Sequence, residues 1–293
     1  MKKVSRRQFF EQAMGAGALT AIGATVLASG NGMPKIIGRA KASDNELGQA
    51  ALRGVAYFRS RNETQIELVK KLREAIKSRD LVVARQAYVD ARPPYEEIET
   101  LAACFEESDA DIDARPYAFD GGETSSDFRG FHKIEYFLFR DNDLDAAATF
   151  AETLAASHER LHKELAESER YNPKKHFEGM IGLAEEIGSK KISSEEETWS
   201  DQSMLIFRSN IIGINSQYEP FSNNVKQRSE QVDTNVKNTY QAFRAVLKPY
   251  ESGPGAAMTP YSQVRIGERK MISDATYRFR DSLIAAGTQL GVI

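Results

Sequence analysis

Residues 65–81 read QIELVKKLREAIKSRDL, and this stretch sets the pattern for much of the chain. Ile66, Val69, Leu72 and Ile76 recur at the three- and four-residue spacing that places side chains on one face of a helix. Strand-type alternation is nearly absent elsewhere, whereas helical spacing returns in several long segments. The sequence therefore predicts an all-α protein.

Helix-breaking residues divide the chain into predicted helices. Pro93-Pro94 lies inside the helical segment 81–105 and predicts a kink there. Residues 106–127 are acidic and rich in Gly and Ser, which predicts a loop. The other predicted helices span 128–140, 145–169, 176–188, 194–250 in more than one piece, and 261–290.

Short connections between long amphipathic helices predict antiparallel bundles. The sequence Asn172-Pro173 interrupts the helical pattern near the middle of the chain. We therefore expect two bundle-sized halves, residues 43–171 and residues 172–293.

Residues 1–42 have the three parts of an export signal: a basic start, an uncharged Ala- and Gly-rich stretch, and the A-x-A cleavage site Ala40-Lys41-Ala42. The run Ser5-Arg6-Arg7-Gln8-Phe9-Phe10 resembles a twin-arginine signal, so we expect export to the periplasm and cleavage after Ala42. The uncharged residues 12–34 are also long enough to span a membrane, which is the alternative. No cysteine lies near the cleavage site, which predicts no lipid anchor.

Charge is distributed unevenly along the 293 residues. Residues 1–42 hold seven Lys and Arg against one acid, so the remainder has 32 cations against 41 anions. An acidic body is a poor partner for nucleic acid, which requires a basic face. The single cysteine, Cys104, excludes an internal disulfide and a cysteine-rich metal site.

Residues 128–139, FRGFHKIEYFLF, are the most informative for chemistry. His132 and Glu135 are three residues apart, so on a helix their side chains are neighbours beside an apolar face. Lys133 lies on the opposite side, where we expect solvent. A carboxylate in apolar surroundings needs a partner or a metal. The pair therefore predicts either a metal site completed by neighbouring helices or a His–Glu hydrogen bond inside the core.

Glu96 and Glu99 repeat the three-residue spacing on an earlier helix. Ile98, Leu101 and neighbouring apolar residues form the buried face of that helix, and Glu99 flanks it. These glutamates are either metal ligands or part of a solvated acidic face. Carboxylates with one imidazole suit iron, zinc or manganese, and copper less specifically.

A competing motif lies in the next long helix. The sequence His158-Glu159-Arg160-Leu161-His162 matches H-E-x-x-H, the signature of zinc metallopeptidases. Arg160 between the histidines and Lys163 after them are unlike the uncharged surroundings of such a helix, so we expect a coincidence. We expect His176 at the surface.

Several segments resemble the imelysin-like family, and within it the periplasmic iron-uptake components of the EfeO/EfeM type. They are ARPPYEEIE at 91–99, DADIDAR at 109–115 and GFHKIE at 130–135. Residues 188–200, Phe207 and Asn210 agree as well, and the likeness covers about residues 50–250.

The resemblance implies two antiparallel four-helix bundles with a metal site near their interface, in the short form without the cupredoxin domain of longer members. It assigns His132 and Glu135 to the metal motif. Further ligands follow from it: Glu96, Glu99, Glu152 and Glu196. It also implies a membrane iron permease and a haem peroxidase as partners.

The expected function is that of an exported metal-binding protein which captures iron and passes it to a permease, rather than that of an enzyme. One alternative is a metal-dependent peptidase, of the imelysin-like or the H-E-x-x-H type, which would activate a metal-bound water. Another is a helical adhesion or scaffold protein without a metal.

Overall fold

Helices form nearly all of the regular structure in the computed structural model, which describes residues 44–193, 196–251 and 256–293. The strand-type pairing within these ranges is one isolated bridge between Glu251 and Met258. The predicted all-α fold is confirmed. The predicted export signal, residues 1–42, lies outside the described residues.

The α-helices are, in chain order, α1 (Asp44–Lys77), α2 (Leu81–Ala91), α3 (Pro93–Ile98), α4 (Glu106–Asp113), α5 (Phe131–Glu135), α6 (Leu144–Glu164), α7 (Pro173–Ser189), α8 (Ser203–Arg228), α9 (Glu230–Leu247) and α10 (Ile266–Leu290). Short 3₁₀ helices span Glu99–Cys104, Pro116–Ala118, Gly122–Thr124, Ser168–Arg170, Lys191–Ser193, Lys248–Tyr250 and Tyr261–Gln263. A π-helix, Tyr136–Asp141, continues directly from α5. Among the described residues, no helix is both long and apolar enough to cross a bilayer.

The predicted kink at Pro93-Pro94 is confirmed. Helix α2 ends at Ala91 and α3 begins at Pro93, because proline has no N–H to continue the hydrogen-bond ladder of the preceding helix. The backbone then tightens into the 3₁₀ helix Glu99–Cys104, so the predicted segment 81–105 consists of three pieces. This bent segment turns Glu96 and Glu99 towards the centre of the molecule, where both are buried.

The predicted loop at 106–127 is wrong in its first part, because Glu106–Asp113 forms helix α4. Glu106, Glu107 and Asp109 lie in the first turn of α4, where carboxylates interact favourably with the helix dipole. An acidic composition therefore marks a helix start here. The predicted turn at Gly121-Gly122 is confirmed, since both glycines have positive φ angles.

Gly130 determines where α5 begins. Its φ angle is +81°, and a Cβ atom at this position would lie 2.4 Å from the carbonyl oxygen of Ile112 in α4. Only glycine allows both the left-handed backbone and this close approach. The predicted helix 128–140 is consequently shorter at its start, and it changes to π geometry at Tyr136.

One hydrophobic core contains residues from both halves of the chain. Helix α1 packs against α6 and against α8, α3 packs against α8, and α7 packs against the 3₁₀ helix Glu99–Cys104. Residues 42–293 cluster as one compact unit by their contacts. The division into two four-helix bundles at residue 172 stays a prediction.

Candidate metal centre

Helix α5 places His132 and Glu135 one turn apart with both side chains buried. The Nδ1 atom of His132 lies 3.1 Å from Oε2 of Glu135. Oε1 of Glu135 accepts hydrogen bonds from the backbone N–H groups of Trp199 and Ser200, each at 2.8 Å. The carboxylate of Glu135 therefore joins α5 to the connector that precedes α8.

The same connector supplies Glu197, which the sequence analysis did not identify. One ligand atom from each of His132, Glu135 and Glu197 lies within 4.8 Å of the other two. Oε1 of Glu197 also accepts from Nε of Arg92 at 2.6 Å, and Oε2 accepts from Oγ of Ser200 at 2.5 Å. None of the three potential ligands is more than 3% exposed.

The second ring nitrogen of His132 faces Asp113 at the end of α4. Nε2 lies 3.4 Å from Oδ1 of Asp113, a long ion-pair distance when the imidazole is protonated. Burial disfavours the charged imidazolium, but the carboxylates of Asp113 and Glu135 outweigh burial and raise the pKa of His132 to about 9. In its neutral form the imidazole of His132 offers a ring nitrogen to a metal ion.

The pKa values of the acids depend on which charges surround them. Burial raises the pKa of Glu135, and the nearby charge of Glu197 raises it further. Burial also acts on Asp113, but the guanidinium groups of Arg115 and Arg92 outweigh it and hold the pKa of that carboxyl well below its usual range. The surroundings therefore favour the neutral form of Glu135 and hold Asp113 as a carboxylate beside His132.

The three residues belong to a larger buried network, here called the central charge network. Its members are Arg92, Glu96, Glu99, Asp113, Arg115, His132, Glu135, Lys191, Glu196 and Glu197. Its six carboxyl groups outnumber its three permanent cations by three, and they outnumber its cations by two when His132 is protonated. Uncompensated buried charge is costly, so the donor set and the charge of this network fit a bound metal cation.

A family model described as imelysin, Peptidase M75, matches residues 56–291. The chain belongs to the imelysin family. An iron uptake system component EfeM from Pseudomonas syringae is 28% identical over 236 residues, which cover 80% of this chain and 82% of the relative. An iron uptake system component EfeO from Yersinia pseudotuberculosis is 36% identical over 148 residues, covering 50% of this chain and 39% of the relative.

A solved structure supports the same fold. A protein from Parabacteroides distasonis, described as an iron-regulated protein A precursor, superimposes with a TM-score of 0.64 over 86% of this chain and 96% of its own. The sequence identity is 15%, so this likeness concerns the fold alone. The family model and the curated relatives, rather than this structure, support an EfeO/EfeM-type member of the imelysin family.

The structure brings three of the other predicted ligands into the central charge network of this imelysin-family chain. Glu96 pairs with Arg92, Glu196 pairs with Arg115, and Glu99 lies 2.8 Å from the Nζ atom of Lys191. Each of the three therefore has a protein cation beside it. Their role as metal ligands stays a prediction.

Glu152 is not brought to the network. Its side chain is 48% exposed on α6, where it forms ion pairs with Arg73 and Lys77 of α1. Helical spacing from Phe150, Leu154 and Leu161 points Glu152 away from the apolar stripe of α6, and the structure agrees with this spacing rather than with the family resemblance.

The H-E-x-x-H motif contributes no comparable cluster. His158 is buried between the rings of Tyr95 and Phe131, and its Nδ1 lies 3.4 Å from Oδ1 of Asn62. Burial lowers the pKa of His158 to about 3. Of the described residues, the group that brings three potential ligands together includes neither His158 nor His162. His158 is a core residue.

Two expectations from the sequence are wrong. Lys133 is buried rather than solvated, with Nζ about 5 Å from the ring centroids of Phe128, Tyr136 and Phe137. Its ammonium donates to the carbonyl oxygen of Glu123 at 3.0 Å. His176 is fully buried rather than at the surface, and burial lowers its pKa to about 4.

The signal that could have identified Glu197 is weak. It is the last of three consecutive glutamates, residues 195–197, in a connector without helical periodicity. Periodicity cannot select one member of such a run, because side-chain direction in a loop depends on tertiary contacts. Asp113 lies in the segment 109–115 that resembles the family, but its spacing gave no independent reason to place it near His132.

Proposed function

We propose that this protein is an exported component of an iron-uptake system that captures iron and passes it to a membrane permease. The observation that carries the proposal is the buried group of His132, Glu135 and Glu197 inside a network with surplus negative charge. The names of the curated relatives, iron uptake system components, support the same conclusion. By the family resemblance, a haem peroxidase belongs to the same system.

The residues of this chain would hold the iron ion as cargo. The imidazole of His132 gives up its proton and offers a nitrogen, and Glu135 and Glu197 each offer a carboxylate oxygen. One imidazole with carboxylates suits iron, and zinc or copper can compete for the same ligands. Because binding must displace a proton from His132, the affinity for the metal is expected to rise with pH up to about 9.

Burial of the ligands favours a carrier over a peptidase. A catalytic metal site keeps an open position for water and substrate, whereas all three ligands here are almost completely covered. A carrier needs to enclose its cargo and later release it. No feature of the described residues supports the H-E-x-x-H peptidase, since His158 is part of the core.

Iron titration tests the proposed site directly. Calorimetry with Fe²⁺ under anaerobic conditions should give one ion per chain for the wild type. His132→Ala should weaken binding by about 100-fold or more, because even loss of a residue that only supports a ligand costs about 10- to 100-fold. His162→Ala is the matched control from the competing motif and should bind as the wild type does.

Two results of this titration would overturn the proposed site. One is wild-type affinity in His132→Ala. The other is loss of binding in His162→Ala combined with metal-dependent cleavage of a peptide library, which would favour the peptidase. Circular dichroism of each variant separates loss of binding from loss of fold.

Export by the twin-arginine route rests on residues 1–42 and has its own test. Replacing Arg6 and Arg7 with lysine should leave an uncleaved precursor in the cytoplasm, since the paired arginines carry the resemblance to that signal. The wild-type protein recovered from the periplasm should begin at Ser43 by N-terminal sequencing. A periplasmic double variant would contradict this route.

A further inference from the structure

Residues 198–200, here called the strap, separate part of the candidate metal centre from solvent. Thr198 is exposed and Trp199 and Ser200 are half-buried, whereas Glu135 beneath them is fully buried. The backbone N–H groups of Trp199 and Ser200 reach Oε1 of Glu135, each at 2.8 Å. An ion can therefore reach Glu135 from this side only when the strap moves.

Both ends of the strap are fixed to the rest of the protein. Before it, Glu197 accepts from Nε of the buried Arg92 at 2.6 Å. After it, the side chain of Asp201 accepts from the backbone N–H of Ser262 at 2.8 Å, and its backbone carbonyl accepts from the N–H of Tyr261 at 2.9 Å. The φ angle of Asp201 is +61°, a left-handed conformation that aspartate adopts more readily than most residues. Movement is therefore confined to the three residues between these ends.

Trp199 is the side chain that holds the strap against α5 and the π-helix that follows it. Its ring meets the ring of Tyr136 edge-on, with the centroids 5.2 Å apart and the planes at 90°, which is an arrangement that aromatic pairs favour. Within the described part of the chain, this is the one aromatic contact of Trp199. Tyr136 directly follows Glu135, so a ligand and the residue that holds its cover are consecutive in the chain.

The ring of Tyr136 is itself held in place by two cations. The guanidinium of Arg140 lies 4.5 Å from its centroid, and Nζ of Lys133 lies 5.0 Å from it. Cations are attracted to the faces of aromatic rings. Trp199, by contrast, belongs to a segment outside any helix. The side of the pair that can move is therefore Trp199 with the strap.

We propose that Trp199 is a positioning residue which keeps the strap closed over the metal centre through Tyr136, and that separation of these two rings sets the rate at which the ion enters and leaves. The inference rests on the proposed function, because it concerns how the same site exchanges its ion. The ring contact closes the strap both with and without an ion. Weakening it should therefore speed entry and exit by the same factor and leave the affinity unchanged.

The decisive variant is Trp199→Ala. Stopped-flow mixing of the Fe²⁺-loaded protein with an excess of a chromogenic Fe²⁺ chelator measures the rate of release, and anaerobic calorimetry measures the dissociation constant. Release should be about two- to tenfold faster, because that is the shift which loss of one aromatic pair produces, and the dissociation constant should not change. A wild-type release rate overturns the inference. So does a dissociation constant that rises as much as the release rate, because the side chain would then stabilise only the loaded protein.

Three further variants test whether the ring pair is responsible. Tyr136→Leu should speed release as much as Trp199→Ala, and the double variant should be no faster than either, since both remove the same contact. Trp199→Phe keeps a ring and should retain most of the slow release. Tyr240→Leu removes a ring contact with Phe279 between α9 and α10 and should release iron as the wild type does. Accelerations that multiply in the double variant would mean that the rings act independently and would overturn the inference.

The metal-free protein separates this inference from the proposed function. The chain has a single tryptophan, so ¹⁵N-tryptophan labelling gives one backbone N–H signal, which belongs to Trp199. Exchange of this proton with deuterium should be about two- to tenfold faster in Tyr136→Leu than in the wild type, because the strap opens more often. Unchanged exchange overturns the inference whatever the iron measurements show, whereas a wild type that binds no Fe²⁺ overturns the proposed function.

Discussion

Glu197, which the fold places beside His132, and Glu152, which the family resemblance implied as a ligand, have completely different surroundings. Glu197 is buried beside His132 and Glu135, whereas Glu152 forms solvent-exposed ion pairs with Arg73 and Lys77. Removal of a charge from the buried network should weaken metal binding. Removal of a charge from an exposed ion pair should change neither the metal affinity nor the stability by much. The two positions therefore form a matched comparison.

Glu197→Gln is expected to weaken Fe²⁺ binding by about 10- to 100-fold, because it removes a charged ligand. Glu152→Gln should leave the affinity unchanged and alter the free energy of unfolding by less than about 1 kcal/mol, as exposed ion pairs contribute little. Calorimetry measures the first quantity and urea unfolding the second. Equal losses of affinity in both variants would contradict the assigned site.

Residue-level prediction from sequence succeeded where the contact is local. His132 and Glu135 are one helical turn apart, so their proximity follows from backbone geometry. Glu197 reaches them only through the fold, and neighbouring Glu196 was predicted instead. Lys133 was misassigned because helical spacing gives a direction but does not reveal that the aromatic rings of Phe128 and Phe137 cover that side.

At the level of elements, α3 and α8 are in backbone contact next to the central charge network. A Cβ atom on Gly213 of α8 would lie 2.1 Å from the carbonyl oxygen of Glu97 in α3. One turn earlier, Asn210 donates to the carbonyl oxygen of Glu96 at 2.8 Å. Because Gly213 has no side chain, α8 can approach α3 closely enough for Asn210 to reach the backbone of Glu96.

Gly213→Ala should therefore destabilise the protein by about 2 kcal/mol, because overpacking costs about 1–3 kcal/mol and exceeds the gain in helix propensity. Gly48→Ala is the control, since a Cβ atom there would meet nothing within 4 Å. It should stabilise α1 by up to about 1 kcal/mol. Urea unfolding of both variants tests the contact, and a stabilised Gly213→Ala would refute it.

The sequence predicted the elements well where proline interrupts a helix, because Pro93 separates α2 from α3 as expected. Helix α4 was missed because acids at a helix start and acids in a loop have the same composition. The close contact of Gly130 with Ile112 is tertiary, so helical periodicity could not reveal it.

For the whole molecule, three buried histidines make the stability depend on pH in opposite directions. Burial lowers the pKa of His158 to about 3 and that of His176 to about 4, so both remain neutral in the fold. Buried carboxylates instead raise the pKa of His132 to about 9. The pKa of a histidine in the unfolded chain is about 6.5, which lies between these values.

Between pH 4 and 6.5, His158 and His176 are protonated in the unfolded chain but remain neutral in the folded protein. Their contribution to the free energy of unfolding is therefore lost as the pH falls through this range. Between pH 6.5 and 9 the fold retains the proton of His132, so that contribution is present below 6.5 and lost as pH rises. Each histidine contributes a slope of up to about 1.4 kcal/mol per pH unit. Metal-free protein should therefore gain stability from these groups mainly near pH 6.5.

Urea unfolding in the presence of a chelator, repeated from pH 5 to 9, measures these slopes. His158→Gln should lower the slope of the unfolding free energy against pH below pH 6.5 by up to about 1.4 kcal/mol per pH unit, and it should leave the slope above pH 6.5 unchanged. His132→Gln should change the slope above pH 6.5 and leave the slope below it unchanged. Comparing each variant with the wild type cancels the contributions of the other titrating groups. Parallel pH profiles for His132→Gln and the wild type would mean that this imidazole is not held protonated by Asp113 and Glu135. The proton that iron must displace would then be absent.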